Sequence, residues 1–323
     1  MVLTYILFLA GFFALIIGAN WLIDGATSLG IRAKLSPLII GLTIVAFGTS
    51  LPELIVNVFS CAKGSSGMAI GNIVGSNIMN IMLILGIAAL IYPLDVSRIS
   101  IRRDIPVGFI ATMLLFFMAN DFFIGSRHSL NWIDGIVLLI GAGIYLWLTI
   151  VKSEAPVTDV ETIQIPLPWT KTIVFLCGGI AGMYLGGELV SRNAQIIAKS
   201  LGMSESMIGL TVIAIATSLP ELITSIVAAI KKNTGIAIGN VLGSNILNIF
   251  IVLGISGLIT PLNFDRPMNI NLLILFFAHS LMLLFVFTGK PKDRKISRIE
   301  GSVMVLVYVA FMIFSITQSG SMA

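Results

Sequence analysis

One stretch of sequence occurs twice in this chain. Residues 43–53 read Thr-Ile-Val-Ala-Phe-Gly-Thr-Ser-Leu-Pro-Glu, and residues 211–221 read Thr-Val-Ile-Ala-Ile-Ala-Thr-Ser-Leu-Pro-Glu. Only 11% of the residues are charged and 57% are hydrophobic, whereas about a quarter of a soluble domain is charged. The chain is therefore an integral membrane protein. Placing an ionised glutamate inside the membrane costs roughly 2.5 to 3.5 kcal/mol of free energy. That cost is tolerable where the carboxylate meets a cation, so the repeated stretch predicts an ion site.

Apolar runs of about 20 residues, the length that crosses a bilayer, are ten in number. They lie at roughly 2–27, 36–61, 67–91, 105–120, 132–151, 170–191, 204–230, 235–259, 269–288 and 300–317. The longest hydrophilic stretch, 153–169, is rich in acidic residues and proline and is predicted to be a linker. It separates two halves of five spans each, 1–152 and 170–323.

The two halves are copies of one another. Residues 36–94 align with 204–262 without a gap, at a constant offset of 168 positions, and roughly half of the aligned residues are identical. Residues 71–80 read Gly-Asn-Ile-Val-Gly-Ser-Asn-Ile-Met-Asn and return at 239–248 as Gly-Asn-Val-Leu-Gly-Ser-Asn-Ile-Leu-Asn. Because an odd number of spans separates each motif from its copy, the second copy is inserted upside down. The predicted fold is an all-α integral membrane protein with ten transmembrane helices arranged as two inverted five-helix repeats.

The basic residues are distributed unevenly between the two sides of this arrangement. Of the 19 Lys and Arg residues, fourteen fall on the side opposite the N-terminus and five on the N-terminal side. Since cytoplasmic loops carry the excess of basic residues, both termini are predicted to be extracytoplasmic and the linker at 153–169 cytoplasmic. We expect a multi-pass protein of the cell membrane that is surrounded by the lipid bilayer, works as a monomer and has no nucleic-acid partner.

A proline stands directly before each repeated glutamate. Pro52 and Pro220 each remove a helical N–H and clash with the carbonyl group four residues earlier. We therefore expect both helices to kink and to release carbonyl groups near Gly48 and Ala216.

Hydroxyl and amide side chains share helical faces with the glutamates. Thr49 and Ser50 precede Glu53 by four and three residues, so all three point to one side of the helix. The second copy repeats this face, and the neighbouring helices carry polar residues at intervals of four. The complete set is Thr49, Ser50, Glu53, Asn72, Ser76, Asn80, Thr217, Ser218, Glu221, Asn240, Ser244 and Asn248. All of these are oxygen donors, which hard cations such as Ca²⁺ and Na⁺ require.

The charge of the two glutamates suggests exchange rather than free passage. Glu53 and Glu221 carry two negative charges when ionised, which one Ca²⁺ neutralises and one Na⁺ does not. An empty site would hold two carboxylates that repel each other in a low dielectric. We therefore expect the empty site to resist crossing the membrane unless Na⁺ or H⁺ refills it.

These motifs resemble the paired alpha repeats of the calcium/cation antiporter superfamily, and the chain is similar to prokaryotic sodium/calcium exchangers. The resemblance covers the whole ten-span arrangement and is strongest over 36–94 and 204–262. Gly-Thr-Ser-Leu-Pro-Glu at 48–53 and Gly-Ser-Asn-Ile at 75–78 are typical of this superfamily. The implied function is exchange of Ca²⁺ for Na⁺, with no cofactor besides the transported ions.

The resemblance also implies roles for particular residues. It implies that Glu53 and Glu221 bind Ca²⁺ together with Thr49 and Thr217. The remaining implied ligands, several of them in flanking Na⁺ sites, are Ser50, Ser76, Asn80, Ser218, Ser244 and Asn248 and the carbonyl groups of Ala46 and Ala214. Members of the superfamily alternate access by sliding the first and sixth spans together across the other helices. Here we expect the glycines of those two spans to form a smooth sliding face.

Asn248 marks a departure from the superfamily pattern, because several relatives carry Asp at this position. With Asn at both Asn80 and Asn248, the site has only two carboxylates, which disfavours co-transport of potassium. The Gly-Asn segments contain none of the acidic or histidine replacements typical of calcium/proton exchangers. Sodium is therefore favoured as the counter-ion, with a calcium/proton antiporter as the alternative.

Two other classes of protein fit the sequence less well. An intramembrane metallohydrolase would need a histidine cluster, whereas the only two histidines, His128 and His279, lie near neither glutamate motif. A cation channel shares the oxygen ligands, but the charge balance and the inverted repeats favour a carrier. Asn77 and Asn245 are interpreted as helix-packing amides rather than ligands, and Asp24 and Glu188 as interface anchors near the ends of their spans rather than gate residues.

Overall fold

The computed structural model describes residues 1–62, 66–120, 129–151, 165–201, 214–264, 268–288 and 294–321, and nearly all of the regular structure in them is helical. The helices are α1 (Val2–Ala33), α2 (Pro37–Thr49), α3 (Leu51–Ala62), α4 (Ser66–Met79, Asn80–Ile84 and Leu85–Ile91), α5 (Ser100–Asp104 and Ile105–Ala119), α6 (Trp132–Val151), α7 (Trp169–Ser200), α8 (Ala214–Thr217), α9 (Leu219–Ile230), α10 (Thr234–Ile259), α11 (Met268–Thr288) and α12 (Arg298–Ser321). The strands are β1 (Leu94–Asp95), β2 (Ser129–Leu130), β3 (Leu262–Asn263) and β4 (Lys295–Ile296).

Most of the predicted membrane spans coincide with long apolar helices. Within the described ranges, seven helices are long and apolar enough to cross a membrane, or eight when the bent pair α2–α3 is counted as one span. The span predicted at 105–120 is the helix α5, whose first turns carry Arg102, Arg103 and Asp104. The span predicted at 204–230 falls partly outside the described residues, which include only α8 and α9 from it. The chain is therefore an all-α, multi-pass membrane protein.

The helices α4 and α10 form the centre of the molecule. About 78% of the apolar window of each is buried, compared with 17 to 33% in the other long helices. These two helices carry the repeated segments at 71–80 and 239–248. Both change to a π-helical winding at the same point of the repeat, over Asn80–Ile84 in α4 and Asn248–Leu253 in α10. A π-helical turn inside an α-helix often marks a functional position, and here it begins at a predicted ligand in each copy.

A break separates the two parts of each proline-containing helix. The axes of α2 and α3 differ by 41°, and the break lies at Ser50, whose φ and ψ are −84° and 2°. Ser218 has nearly the same conformation between α8 and α9, with φ of −92° and ψ of 7°. Because the proline after each break donates no N–H, the helix cannot continue its regular bonding there. The predicted kink beside each proline is confirmed at these two serines.

Two short antiparallel ribbons join the ends of the halves. The strand β1 pairs with β4, and β2 pairs with β3. The strands β1 and β3 occupy equivalent positions of the repeat, 168 residues apart. Each ribbon therefore takes one strand from each half.

The long helices α1 and α7 are in close contact along their glycines. A Cβ atom added to Gly18 would lie 2.7 Å from a backbone nitrogen of α7, and one added to Gly179 would lie 2.6 Å from a backbone nitrogen of α1. Gly11 and Gly186 face each other in the same way. The expectation that these glycines form a sliding face is wrong for these four positions. They face the other helix of the pair, and their lack of a side chain lets α1 and α7 approach each other closely.

An ion pair links α1 to the end of α9. The Nζ atom of Lys231 lies 2.7 Å from Oδ1 of Asp24, and both side chains are partly exposed. Asp24 therefore connects α1 to the residue that follows α9.

Candidate cation site

The two repeated glutamates lie at equivalent, fully buried positions. Glu53 is in the first turn of α3 and Glu221 is in the first turn of α9, and both side chains have no exposed surface. The breaks at Ser50 and Ser218 create these two helix N-termini inside the protein. A helix N-terminus carries a partial positive charge, which stabilises a nearby carboxylate.

Each glutamate accepts a hydrogen bond from the serine of the other half. The hydroxyl of Ser50 donates to Oε1 of Glu221 over 3.2 Å, and the hydroxyl of Ser218 donates to Oε1 of Glu53 over 3.5 Å. Each bond thus joins a serine of one repeat copy to the glutamate of the other copy. The site is therefore formed between the two halves rather than within either one.

The threonines and the remaining serines surround these bonds. The Oγ1 atom of Thr49 lies 3.0 Å from Oδ1 of Asn240, 3.3 Å from the hydroxyl of Ser244 and 3.1 Å from the carbonyl oxygen of Ala46. Two hydroxyl groups, one side-chain amide and one backbone carbonyl from α2 and α10 thus meet beside Glu221.

A similar group of contacts is present beside Glu53. Thr217 donates to Oδ1 of Asn72 over 3.4 Å, and the hydroxyl of Ser218 lies 3.0 Å from that of Ser76. These groups come from α4, from α8 and from the break after α8, and α4 and α8 are the repeat equivalents of α10 and α2.

Four asparagines connect α4 and α10 at the centre of the molecule. Asn77 donates through Nδ2 to the backbone carbonyl of Asn245 over 3.1 Å, and Asn245 donates to the carbonyl of Asn77 over 3.3 Å. The side-chain oxygens of the same two residues accept bonds from the ligand candidates. Nδ2 of Asn80 lies 3.0 Å from Oδ1 of Asn245, and Nδ2 of Asn248 lies 3.2 Å from Oδ1 of Asn77. We call these four residues the amide ring.

Four buried oxygens in this region have no hydrogen-bond partner among the described residues. They are Oε2 of Glu53, Oε2 of Glu221, Oδ1 of Asn80 and Oδ1 of Asn248. A buried acceptor without a partner costs about 1–3 kcal/mol, and more when it is charged. At the repeat offset, the oxygen of Glu53 is equivalent to that of Glu221, and the oxygen of Asn80 is equivalent to that of Asn248. This pattern fits a site in which these oxygens bind a cation.

The chemistry of the donors narrows the class of cation. The described residues contain no group of three or more His, Cys, Asp or Glu side chains able to hold a metal ion. The donors are instead two carboxylates with hydroxyl, amide and carbonyl oxygens. Such oxygens suit Ca²⁺ and other hard cations rather than zinc or copper, which prefer nitrogen and sulfur.

Nearly all of the predicted ligand residues are buried in this region. The buried members of the predicted set are Ala46, Thr49, Ser50, Glu53, Ser76, Asn80, Thr217, Ser218, Glu221, Ser244 and Asn248. Ala214 begins α8, but the position of its side chain lies outside what the structure describes.

Two supporting residues were not singled out from the sequence. Asn57 accepts a hydrogen bond from Nδ2 of Asn72 over 2.9 Å, and Ser225 accepts one from Nδ2 of Asn240 over 3.0 Å. Asn57 also donates to the carbonyl of Ala69. Both residues follow their glutamate by four positions and are equivalent in the repeat, so helical spacing would have identified them.

A multi-pass helical membrane protein with a buried oxygen site between two matching halves is a membrane ion transporter. The family described as sodium/calcium exchanger protein matches this chain over residues 3–151 and 171–317. Since the match extends over most of the sequence, the chain belongs to the sodium/calcium exchanger family, which is a family of transporters rather than enzymes. Sodium and calcium ions are the substrates of this family.

Curated relatives and solved structures agree with this assignment. The putative antiporter CaxA of Alkalimonas amylolytica is 34% identical over 314 residues, covering 96% of this chain and 98% of the relative. The sodium/calcium exchanger MaX1 of Methanosarcina acetivorans is 29% identical over 347 residues, covering 96% and 97%. A structure of the sodium-calcium exchanger NCX_Mj soaked with Na⁺ and Ca²⁺ superimposes with a TM-score of 0.81 at 31% identity, covering 96% of this chain and 97% of that one.

Proposed function

We propose that this chain is an antiporter that exchanges Ca²⁺ for Na⁺ across the cytoplasmic membrane, with Ca²⁺ bound between Glu53 and Glu221. The main support is the set of four buried, unpartnered oxygens on Glu53, Glu221, Asn80 and Asn248. The two carboxylates supply the charge that one Ca²⁺ neutralises. Exchangers from the same family, including MaX1 and NCX_Mj, make Na⁺ the expected counter-ion.

The hydroxyl groups are proposed to contribute to both kinds of site. In this proposal, Thr49 and Thr217 complete the Ca²⁺ site. Na⁺ ions occupy flanking positions formed by Ser50, Ser76, Ser218 and Ser244 with the carbonyl groups of Ala46 and Ala214. The contacts of Ser50 with Glu221 and of Ser218 with Glu53 support this assignment, because each serine already lies against a carboxylate. Exchange is obligatory in this scheme, since an empty site leaves two negative charges buried without a cation.

We further propose that the chain forms two inverted five-helix repeats, 1–152 and 170–323, joined by a cytoplasmic linker at 153–169. The two ribbons support this arrangement, because each pairs one strand from either half. The hydrogen bonds of Ser50 with Glu221 and of Ser218 with Glu53 support it in the same way, because each joins one half to the other. Both termini are then extracytoplasmic, and a single chain contains every proposed ligand, so a monomer suffices for transport.

Alternating access is proposed to occur by movement of α1 and α7 relative to the remaining helices. The close glycine contacts between these helices support their movement as one body. Inverted repeats provide two related packings of such a body, one open to each side of the membrane. Substitutions that separate α1 from α7 should therefore reduce transport more than Ca²⁺ binding.

Calcium flux into proteoliposomes tests the proposed function directly. The purified protein is reconstituted into vesicles loaded with Na⁺, with K⁺, or with an outward proton gradient, and uptake of radiolabelled Ca²⁺ is measured. We expect uptake that depends on internal Na⁺ and disappears in both Glu53→Gln and Glu221→Gln. Uptake driven by the proton gradient alone would refute the choice of Na⁺ and support the calcium/proton alternative. Unchanged uptake in both variants would refute the site.

A further inference from the structure

In the amide ring, each of the two proposed amide ligands donates a hydrogen bond to another asparagine, Asn80 to Asn245 and Asn248 to Asn77. The side-chain oxygens of Asn80 and Asn248 are buried without a hydrogen-bond partner among the described residues, whereas Asn77 and Asn245 have both ends of their side-chain amides in hydrogen bonds. All four side chains are almost completely buried. Asn77 and Asn245 therefore contact the ligand candidates without themselves presenting an unpartnered atom to the site.

We propose that Asn77 and Asn245 are positioning residues that fix which end of each ligand amide faces the transported cation. This inference rests on the proposed function, because it assigns a role to the partners of two of its ligands. Asn245 acts on Asn80 and Asn77 acts on Asn248, so each positioning residue serves the ligand of the other half.

The physical reason lies in the two ends of an asparagine side chain. The oxygen accepts hydrogen bonds and the NH₂ group only donates them, yet the two ends have nearly the same size and shape. Packing alone therefore distinguishes poorly between an amide that presents its oxygen and one rotated by half a turn. An NH₂ group turned toward Ca²⁺ or Na⁺ would repel the ion and offer it no lone pair.

The hydrogen bonds of the ring remove this ambiguity. Oδ1 of Asn245 accepts from Nδ2 of Asn80 over 3.0 Å, and Oδ1 of Asn77 accepts from Nδ2 of Asn248 over 3.2 Å. If either ligand amide turned over, two oxygens would face each other in a buried environment. The orientation of Asn77 and Asn245 is fixed in turn, because their own NH₂ groups donate to backbone carbonyls of the opposite helix.

The same backbone bonds also hold α4 against α10, so the experiment must separate positioning from packing. A double-mutant cycle does this, because residues that act through one another give non-additive effects whereas independent residues give additive ones. The variants are Asn245→Ala, Asn80→Ala and the combination of both. The measured quantity is the Ca²⁺ concentration that gives half-maximal Na⁺-dependent uptake of radiolabelled Ca²⁺ into proteoliposomes.

We expect Asn245→Ala to raise the half-maximal Ca²⁺ concentration about 10- to 100-fold, the range seen when residues behind a metal ligand are removed. Adding Asn245→Ala to Asn80→Ala should weaken binding much less than Asn245→Ala does in the wild type, because the positioning role is lost with the ligand and only the packing role remains. The control cycle combines Asn245→Ala with Asn72→Ala, which lies outside the ring, and its effects should multiply. Effects that multiply in the Asn245 and Asn80 cycle, or an Asn245→Ala variant with unchanged affinity, would overturn the inference.

A conservative variant covers the case in which Asn245→Ala does not fold. Asn245→Asp keeps an oxygen that accepts from Asn80, and its second oxygen, protonated because it is buried against the carbonyl group of Asn77, replaces the lost NH₂ donor. This variant should therefore bind Ca²⁺ at least as well as the wild type, whereas affinity as weak as that of Asn80→Ala would overturn the inference. The cycle of Asn77→Ala with Asn248→Ala provides the same test in the other half.

A parallel measurement distinguishes this inference from the proposed function. If Glu53→Gln retains Ca²⁺ uptake, the proposed site itself is wrong. If Glu53→Gln abolishes uptake but the ring cycle is additive, only the positioning role fails.

Discussion

Replacing one glutamate by glutamine should weaken Ca²⁺ binding far more than Na⁺ binding. Glu53→Gln and Glu221→Gln each remove one negative charge while keeping a side chain of almost the same shape. The glutamine still offers an oxygen to the site. The difference between the variant and the wild type is therefore mainly electrostatic, and it scales with the charge of the bound ion.

The size of this effect follows from the buried position of both carboxylates. Two unit charges about 4 Å apart interact by about 4 kcal/mol at an effective dielectric constant of about 20, and a divalent ion doubles this to about 8 kcal/mol. Because the amide dipole replaces part of the lost attraction, we count about half of each value. Ca²⁺ then loses about 4 kcal/mol, or about a thousandfold in affinity, and Na⁺ loses about 2 kcal/mol, or about thirtyfold.

Two binding measurements on the purified protein give these numbers. Dissociation constants for Ca²⁺ and for Na⁺ are determined separately by isothermal titration calorimetry. Glu188→Gln is the control, because this carboxylate is exposed on α7 and its neutralisation should change neither value appreciably.

The outcome for each variant is decisive. An equal loss of affinity for both ions would show that the glutamates do not act through their charge, and a Ca²⁺ affinity that survives in either variant would refute the two-carboxylate site. A larger loss for Na⁺ than for Ca²⁺ would refute the electrostatic reasoning outright.

Three further predictions concern stability, measured as thermal unfolding of the purified protein in detergent. Gly243→Ala should destabilise the folded protein by about 1–3 kcal/mol, because the new Cβ would lie 2.7 Å from the carbonyl oxygen of Leu42. Gly143→Ala is the control and should not destabilise the protein, since its Cβ would have no described atom within 4 Å. Equal effects of the two substitutions would contradict this packing. Lys231→Gln should cost less than about 1 kcal/mol, since its ion pair is partly exposed, and a larger loss would show a stronger link between α1 and α9. Lys34→Gly should raise the unfolding temperature, because Lys34 has a φ of 56° that glycine adopts without strain; a lowered temperature would contradict this.

Much of the candidate site could be predicted from the sequence because polar residues are conspicuous in an apolar chain. Glu53 and Glu221 stand out because an ionised carboxylate costs free energy inside a membrane. The constant offset of the repeat then identifies the equivalent of each ligand residue in the other copy. The kinks were predictable for an equally local reason, since Pro52 and Pro220 determine which backbone bonds are absent. These predictions needed no knowledge of which helices touch.

The contacts of apolar and neutral residues could not be predicted in the same way. Gly18 and Gly179 show only that a close approach is possible, and the sequence does not say whether the approaching surface is fixed or sliding. Asn77 was interpreted as a packing residue, which agrees with its bond to the carbonyl of Asn245. Its second bond, to the ligand candidate Asn248, depends on the register between α4 and α10, which only the three-dimensional structure provides.

The two halves match inside the site and differ outside it. The residues aligned with Asp24 and Lys231 at the repeat offset are Arg192 and Lys63, two cations that cannot form the equivalent ion pair. In the proposed cycle a duplicated site favours neither orientation, so any free-energy difference between the two end states must come from unduplicated contacts such as this one. A partly exposed pair contributes about 0–1 kcal/mol, which changes the ratio of the two states by at most about fivefold. A bias of that size would leave both states populated, which an exchanger working in a cycle requires.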